Sequence, residues 1–392
     1  MMHFAQRLQS LETNVFADMD RAKALAKFQG KTIIDLSLGS SDLPVAPSIL
    51  AEIERSLHDP STHGYLLHRE TQNFRESVAQ WYEKRFGLPV NPETEVLPLI
   101  GSQEGTAHLP LAILDPGDFA LLLDPGYPSH AGGVYLAGGQ IYGMPLRPEN
   151  NFLPVFANIP AAVLAQAKLM VLSYPHNPTT AIAPLAFFEE AVAFCRNHQL
   201  VLVHDFPYLD FGFAGTPAFP SVLQADLEKS LSIEFFTFSK SYNMGGFRIG
   251  FAIGNEDLIL ALRRIKAMVD FNQYRGILNG AIAALNSPMT LVEETVLTFQ
   301  KRRDIFIEAL EKIGWSIPSP RATMYVWAKL PQAWQQNSIQ FCQQLVLKTG
   351  VAVSPGAGFG KQGEGYVRFA LVHEPDVLTL AVEKIADFLH HD

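Results

Sequence analysis

The stretch from Glu234 to Gly254 places a lysine between two apolar runs. The runs, Phe235 to Phe238 and Ile249 to Ile253, both predict buried strands. Lys240 follows the first run, where loss of water lowers the pKa of the amine and makes it a better nucleophile for a carbonyl. A lysine at this point can also simply end a strand and face water. The polar residues around it must decide between these two interpretations.

Groups suited to a phosphate lie close to Lys240. Thr237, Ser239 and Arg248 supply two hydroxyls and a guanidinium within eight residues of the lysine. A ligand with both a carbonyl and a phosphate indicates pyridoxal 5'-phosphate as the cofactor. Ser102 and Gln103 form a second phosphate candidate, because they lie in a glycine turn between a strand and a helix that is predicted over Thr106 to Leu114. Such glycine turns also occur without any ligand.

The elements that position these groups repeat as strand, polar turn and helix. Each strand is a short, continuous apolar run, which is typical of a parallel sheet covered on both faces. Ligands of such sheets bind beyond the carboxyl ends of the strands. Polar residues follow five successive runs, and they are Ser102, Tyr127, Asn177, Asp205 and Lys240. The pattern therefore predicts one shared site.

The remaining chemistry of a pyridoxal enzyme can be assigned to residues at these ends. Asp205 suits the ring nitrogen, although it could equally be a turn or helix-capping aspartate. Tyr208 and Asn177 could donate to the phenolic oxygen, and Tyr127 could stack on the ring. We take Lys240, Asp205 and Tyr208 as the catalytic residues.

Arg368 lies in the middle of an apolar strand, Tyr366 to Leu371. A buried arginine is costly unless it is paired. Its partner would be either the α-carboxylate of a substrate, held by two hydrogen bonds, or an internal carboxylate. We predict the first arrangement, which makes the substrate an amino acid and its 2-oxo acid.

Composition excludes several other classes of function. The 392 residues carry a formal charge of −9 without a basic run, so no nucleic acid partner is expected. The two cysteines, Cys195 and Cys342, form no CxxC motif, and no metal site is predicted. No signal peptide and no apolar window of about 20 residues appear, so we expect a cytoplasmic protein without a membrane span.

Taken together, the motifs resemble those of class I/II aminotransferases, members of the fold type I pyridoxal phosphate-dependent family. The resemblance covers nearly the whole chain. It is carried by Gly101-Ser-Gln-Glu-Gly, Asp124-Pro-Gly-Tyr-Pro, Tyr174-Pro-His-Asn-Pro-Thr, Asp205-Phe-Pro-Tyr208, Ser239-Lys240 with Arg248, and Val367-Arg368-Phe.

The resemblance implies an α/β protein with a large, mostly parallel sheet covered by helices and a small α+β domain built from both chain ends. We expect an N-terminal arm at 1–45, a pyridoxal-binding domain at 46–284 and a small domain at 285–392. It also implies a homodimer in which Tyr65 reaches the cofactor phosphate of the other subunit. Gly39 would lie beside the substrate carboxylate.

Within the family, Phe16-Ala-Asp-Met-Asp and Ala322-Thr-Met-Tyr-Val-Trp-Ala resemble LL-diaminopimelate aminotransferases. The usual Asn-Pro-Thr-Gly is Asn177-Pro-Thr-Thr180 here, which should disturb the turn more than the chemistry. In relatives, the segment that corresponds to 266–276 helps to hold either the cofactor phosphate or the far end of the substrate across the dimer interface. Arg275 would then favour an acidic far end, and Asp270 would favour an ammonium.

The predicted activity is transfer of an amino group from an amino acid, LL-diaminopimelate or another acidic one, to a 2-oxo acid such as 2-oxoglutarate. A C–S lyase or a decarboxylase on the same fold is the alternative. A non-catalytic binding module is disfavoured by the complete set of lysine, aspartate, tyrosine and arginine.

Overall fold

A computed structural model describes residues 5–12 and 15–391. Its α-helices, in chain order, are α1 (Gln9–Glu12), α2 (Val15–Phe28), α3 (Pro47–Leu57), α4 (Gln72–Phe86), α5 (Ser102–Ile113), α6 (Pro128–Ala137), α7 (Ala161–Leu164), α8 (Leu185–His198), α9 (Glu256–Val269), α10 (Arg275–Leu285), α11 (Thr290–Lys312), α12 (Ser338–Thr349) and α13 (Pro375–His391). Its strands are β1 (Ile34–Asp35), β2 (Val96–Leu99), β3 (Phe119–Asp124), β4 (Gln140–Pro145), β5 (Ala167–Leu172), β6 (Val201–Asp205), β7 (Ser232–Thr237), β8 (Gly250–Gly254), β9 (Tyr325–Lys329), β10 (Val351–Ala352), β11 (Ser354–Pro355) and β12 (Tyr366–Ala370).

Seven strands form the main sheet in the order β2-β8-β7-β6-β5-β3-β4. The five strands from β4 to β7 run parallel, whereas β8 runs antiparallel to both of its neighbours. The buried strands β2 and β8 contain no charged or hydroxyl side chain, as expected for a sheet covered on both faces. The predicted α/β fold with a mostly parallel sheet is confirmed.

Two smaller sheets join distant parts of the chain. β1 pairs in parallel with β10, so a strand near residue 35 lies beside one near residue 351. β12 lies between β11 and β9 in an antiparallel sheet of three strands. Arg368 on β12 therefore comes from a different sheet than Asp205 and Lys240. The boundaries expected at residues 45 and 284 stay a prediction.

Some boundaries differ from those expected. The sequence Thr32-Ile-Ile-Asp-Leu-Ser-Leu predicts a short strand over residues 32–38, but only Ile34–Asp35 (β1) forms one, because the chain then enters a polar turn at Ser37 to Ser41. The helix expected from Thr106 begins at Ser102, which places Ser102 and Gln103 in its first turn. The edge strand β4 was not predicted, since its sequence contains a glycine and a proline. The shift in α5 matters most, because it brings helix N–H groups to the site.

Helix α4 packs an aromatic face against the main sheet. Phe74 and Tyr82 are fully buried and Trp81 is partly buried, which confirms that these aromatic residues belong to the core. Within the described ranges, no helix combines the length and the apolar composition that a membrane crossing requires.

Candidate active site

A cavity of about 650 Å³ opens beyond the carboxyl ends of the parallel strands. Residues of the main sheet line one side of it, and Tyr325 and Arg368 of the small sheet line another. The predicted site residues that line it are Gly39, Ser102, Gln103, Tyr127, Asn177, Asp205, Tyr208, Thr237, Ser239, Lys240, Arg248 and Arg368. The fold thus brings together predicted residues from seven separate segments of the chain.

Lys240 projects into the cavity and not toward open solvent. Its ammonium donates a hydrogen bond to the carbonyl of Gly39, and it lies 5.8 Å from the centre of the Tyr208 ring. Burial lowers the pKa of Lys240, and the positive charges of Arg368 and Arg248 lower it further. The amine therefore loses its proton more readily than an ordinary lysine, which suits a nucleophile.

Asp205 is buried and has one carboxylate oxygen to spare. Its Oδ2 lies 3.0 Å from Nε2 of His130, whereas Oδ1 is buried without a hydrogen-bond partner in the part of the chain described. β6 ends at Asp205, and within the described residues the carboxylate contacts a histidine and not the N–H of a helix terminus. A buried acceptor without a donor is costly, so this oxygen fits a ligand that brings its own N–H.

His130 was missed by sequence reasoning. It follows Tyr127 by three residues in the first turn of α6, and the two rings meet edge to face at 5.7 Å. That spacing puts both side chains on one face of the helix start, which was the signal available in the sequence. His130 holds one oxygen of Asp205 and so orients the carboxylate.

An anion-binding corner forms where α5 begins. Gly101 has φ of 74°, and a Cβ at this position would lie 2.5 Å from Nη2 of Arg248. A glycine here therefore lets the guanidinium approach the N-terminus of α5, where backbone N–H groups are free to bind an anion. At the end of β7, the Thr237 hydroxyl donates a hydrogen bond to that of Ser239 at 2.8 Å. This corner fits a phosphate.

Within the described part of the chain, Arg368 forms no ion pair with a carboxylate. Its guanidinium donates to the Asn177 side-chain oxygen at 2.8 Å and to the Ser37 carbonyl at 2.6 Å. Its Nε is buried and unpaired within the described residues. The rings of Tyr325 and Phe359 lie 4.2 and 4.7 Å from the guanidinium carbon, so they hold it in place. The positive charge remains available for an anionic ligand.

Two phenols meet beside Lys240. The hydroxyl of Tyr208 donates to that of Tyr325 at 2.8 Å, and both residues are 2% exposed. Burial, together with Tyr325, raises the pKa of Tyr208 well above its usual value. The sequence placed Tyr325 on a strand without assigning it any role.

Two predicted residues do not line the cavity of their own protomer. Tyr65 is 90% exposed and touches Phe271 edge to face. Arg275 pairs with Glu70 at 3.0 Å. Asp270, its competitor for the far end of the substrate, accepts from buried Lys266 at 3.1 Å. Their roles require a second subunit and stay predictions.

Helix α2 contributes charged residues to the cavity wall that sequence reasoning did not assign. Met19, Asp20 and Lys23 all line the cavity. The Lys23 ammonium lies 2.7 Å from Asp20 and 3.1 Å from Asp35. Their spacing of one helical turn was visible in the sequence, but nothing there indicated that α2 faces the site. The wall therefore offers both a positive and a negative group.

Comparison with known proteins identifies the family. The model of aminotransferase class I and II matches residues 31–385. LL-diaminopimelate aminotransferase of Dehalococcoides mccartyi is 43% identical over 387 residues, which is 99% of each chain. The substrate-bound structure of BacF from Bacillus subtilis is 35% identical with a TM-score of 0.94, and covers 99% of this chain and 98% of that one. A probable N-succinyldiaminopimelate aminotransferase from Thermus thermophilus is 41% identical with a TM-score of 0.90, covering 95% and 99%.

The chain belongs to the class I and II aminotransferases. It is a pyridoxal phosphate-dependent enzyme that acts on amino acids and 2-oxo acids, as the motifs around Lys240 predicted. The comparisons give no support to the lyase or decarboxylase alternative.

Proposed function

We propose that this enzyme transfers an amino group from LL-diaminopimelate to 2-oxoglutarate, with Lys240 as the residue that carries the cofactor. One observation supports the site assignment above all. The Lys240 amine, the Asp205 Oδ1 and the Arg368 guanidinium all face one cavity, and among the described residues Oδ1 has no donor and the guanidinium has no carboxylate partner. Each lacks what a pyridoxal phosphate and an amino acid would supply.

The residues of the cavity fit pyridoxal phosphate from end to end. Asp205 would hold the ring nitrogen, Tyr208 and Asn177 the phenolic oxygen, and Tyr127 one face of the ring. The phosphate would be held by Ser102, Gln103, Thr237, Ser239 and Arg248. When bound, the cofactor supplies an electrophilic carbonyl and a ring that withdraws electrons from the α-carbon of the substrate.

The residues of this chain would then position the substrate and move one proton. Arg368 would bind the α-carboxylate through two hydrogen bonds, since its guanidinium is planar and held between two rings. Gly39, which lines the cavity and whose carbonyl accepts from Lys240, would lie beside that carboxylate. The Lys240 amine would accept the proton from the α-carbon, because its lowered pKa leaves more of it uncharged near neutral pH.

The similarity to LL-diaminopimelate aminotransferases over 99% of the chain supports the choice of donor. The far end of that donor carries an ammonium and a carboxylate. Asp20 and Lys23 on the cavity wall carry the complementary charges within one protomer, and they would exchange part of their mutual ion pair for these two groups. Arg275 would serve the carboxylate if the second subunit brings it to the site.

A donor panel tests this choice. We expect the purified enzyme to use LL-diaminopimelate with 2-oxoglutarate, and to use aspartate, alanine and N-succinyl-LL-diaminopimelate less well. Lys23→Met and Arg275→Ala each remove a desolvated charge contact. Each change should raise the activation free energy that kcat/KM reports for LL-diaminopimelate by about 2–5 kcal/mol and leave kcat/KM for alanine unchanged. An equal loss with alanine would show that the changed residue does not bind the far end. No turnover of LL-diaminopimelate by the wild type would refute the proposed donor.

We also propose a cytoplasmic homodimer with shared sites. Tyr65, Leu67, Met268 and Phe271 form an apolar surface that a second copy of the chain would cover. Tyr65 would then reach the phosphate of its partner's site. Mixing inactive Tyr65→Ala and Lys240→Ala proteins should restore activity, because one site of each mixed dimer has both residues intact. No recovery in verified mixed dimers would place Tyr65 in its own subunit's site.

A further inference from the structure

Tyr325 is a cavity residue to which the proposed function assigns no task. It begins strand β9 of the small sheet, is 2% exposed, and reaches the part of the cavity where Lys240 lies. Its ring meets that of Tyr208 edge to face, with 5.7 Å between the centres. A residue of the small sheet thus contacts a residue that follows β6 of the main sheet.

The hydrogen bond between the two phenols has a consequence for Tyr208. A hydroxyl has one proton to donate, and Tyr208 donates it to the Tyr325 oxygen at 2.8 Å. For Tyr208 to donate to a ligand oxygen in the cavity, the hydrogen bond between the phenols must reverse. Tyr325 then donates to the oxygen of Tyr208, so that neither buried oxygen is left unpaired.

The charges around Tyr325 favour this reversed arrangement. Arg368 lies 4.2 Å from its ring centre and Lys240 is close by, while Tyr127 faces the pair from the end of β3. Burial opposes ionisation, yet the two positive charges and the hydrogen bond from Tyr208 hold the pKa of Tyr325 below its usual value. Tyr208, in contrast, has its pKa raised. The hydrogen bond from Tyr208 adds to this difference only in its observed direction, but the positive charge of Arg368 persists when the bond reverses, and it favours Tyr325 as the donor.

Because Gly39 has no side chain, the hydroxyl of Tyr325 can lie directly beside its Cα. A Cβ at position 39 would lie 1.8 Å from this oxygen and 2.6 Å from the ring carbon that bears it. Any larger residue at position 39 would displace the phenol. The carbonyl of the same glycine accepts from Lys240. The turn at Gly39 therefore fits a tyrosine at position 325 and the catalytic lysine together.

We propose that Tyr325 is a positioning residue that donates a hydrogen bond to Tyr208 and so directs the Tyr208 hydroxyl to the phenolic oxygen of the cofactor. This inference rests on the role proposed above for Tyr208. Because Tyr325 also stacks on Arg368, the same residue links the carboxylate-binding arginine of the small sheet to the cofactor side of the cavity.

The test is Tyr325→Phe, which keeps the ring over Arg368 and removes only the hydroxyl. A hydrogen bond from Tyr208 stabilises the deprotonated form of the bound chromophore. Weakening that bond should move the pH midpoint of the absorbance change of the cofactor-loaded protein upward by about 0.5 to 1 unit. Tyr366→Phe is the matched control, because this phenol on β12 stacks on Trp327 outside the cavity lining, and it should titrate like the wild type.

A double variant separates positioning from a general effect of the mutation. If Tyr325 acts through Tyr208, then Tyr208→Phe and the Tyr208→Phe/Tyr325→Phe pair should show the same midpoint. Additive shifts, or a wild-type midpoint in Tyr325→Phe, would overturn the proposal.

Titration of the apoprotein does not depend on the cofactor assignment. In wild type and in Tyr366→Phe, one tyrosine should ionise below the usual range, and this step should be missing in Tyr325→Phe. A step that persists in Tyr325→Phe would refute the acidic donor. If the wild type instead lacks a cofactor band altogether, the proposed role of Lys240 fails, and the apoprotein result still decides whether Tyr325 is the acidic phenol.

Discussion

His204 and Asp205 are consecutive residues at the end of β6, and they lie in opposite kinds of polar environment. His204 is fully buried, with Nδ1 2.9 Å from Glu234 and Nε2 3.1 Å from the carbonyl of Tyr174. Asp205 faces the cavity and leaves Oδ1 unpaired within the described residues. Successive strand residues point to opposite faces, so one strand end serves both environments.

The network around His204 is internally complete. Glu234 accepts from the Ser221 hydroxyl at 2.6 Å, the Val222 backbone N–H at 2.8 Å and the Tyr82 hydroxyl at 3.0 Å. It joins the strands that carry Asp205 and Lys240. A complete buried network holds the scaffold, whereas unpaired buried atoms mark the place where a ligand belongs. The following variants test this distinction.

The largest effect should come from Lys240→Ala on the cavity side. Turnover should be abolished, because this variant lacks both the amine that carries the cofactor and the proposed base. The exposed Lys168 on β5 provides a control, since Lys168→Ala should keep normal activity. Measurable transamination by Lys240→Ala under the same conditions would contradict the assignment.

Asp205→Ala should retain the fold and lose about three powers of ten in rate, if stabilisation of the ring proton dominates. Asp205→Asn keeps the shape of the side chain, and it should lose a similar amount because the negative charge is gone. Single-turnover kinetics would measure both. A rate near that of the wild type would mean that the ring proton is held by another group.

Glu234→Ala should lower the stability of the protein more than its catalytic rate, the reverse of the effect expected for Asp205→Ala. It leaves His204, Ser221 and Tyr82 with unpaired buried atoms, so the apoprotein should lose about 3 kcal/mol of stability or more. Its rate per folded molecule should fall less than that of Asp205→Ala. Chemical denaturation of both apoproteins provides the comparison. Equal stability losses in the two variants would remove the distinction between scaffold and site.

The smallest effect concerns the turn beside Asn177. Thr180 has φ of 62°, a conformation that is unfavourable for a β-branched residue and open to glycine. Thr180→Gly should therefore stabilise the protein by about 1 kcal/mol, with little change in kcat. A lower thermal midpoint would show that the threonine side chain contributes more than its backbone conformation costs.

The site residues differ in whether the sequence alone could predict that they line the cavity. Asp205, Lys240 and Asn177 lie at the end of an apolar strand or within five residues after it, so the alternation of strands and polar turns in the sequence located them. Tyr325 and Lys23 gave no such signal, because their approach to the cavity depends on how the small sheet and α2 pack. Sequence spacing fixes which residues share a strand end, but it does not fix contacts between separate sheets.

The most direct test of the account is reductive labelling. The purified enzyme should be yellow, and borohydride should remove the absorbance by fixing the cofactor to the protein. Peptide mapping should then place the label on Lys240. A label on any other lysine, such as Lys266 in its buried ion pair, would contradict the central assignment.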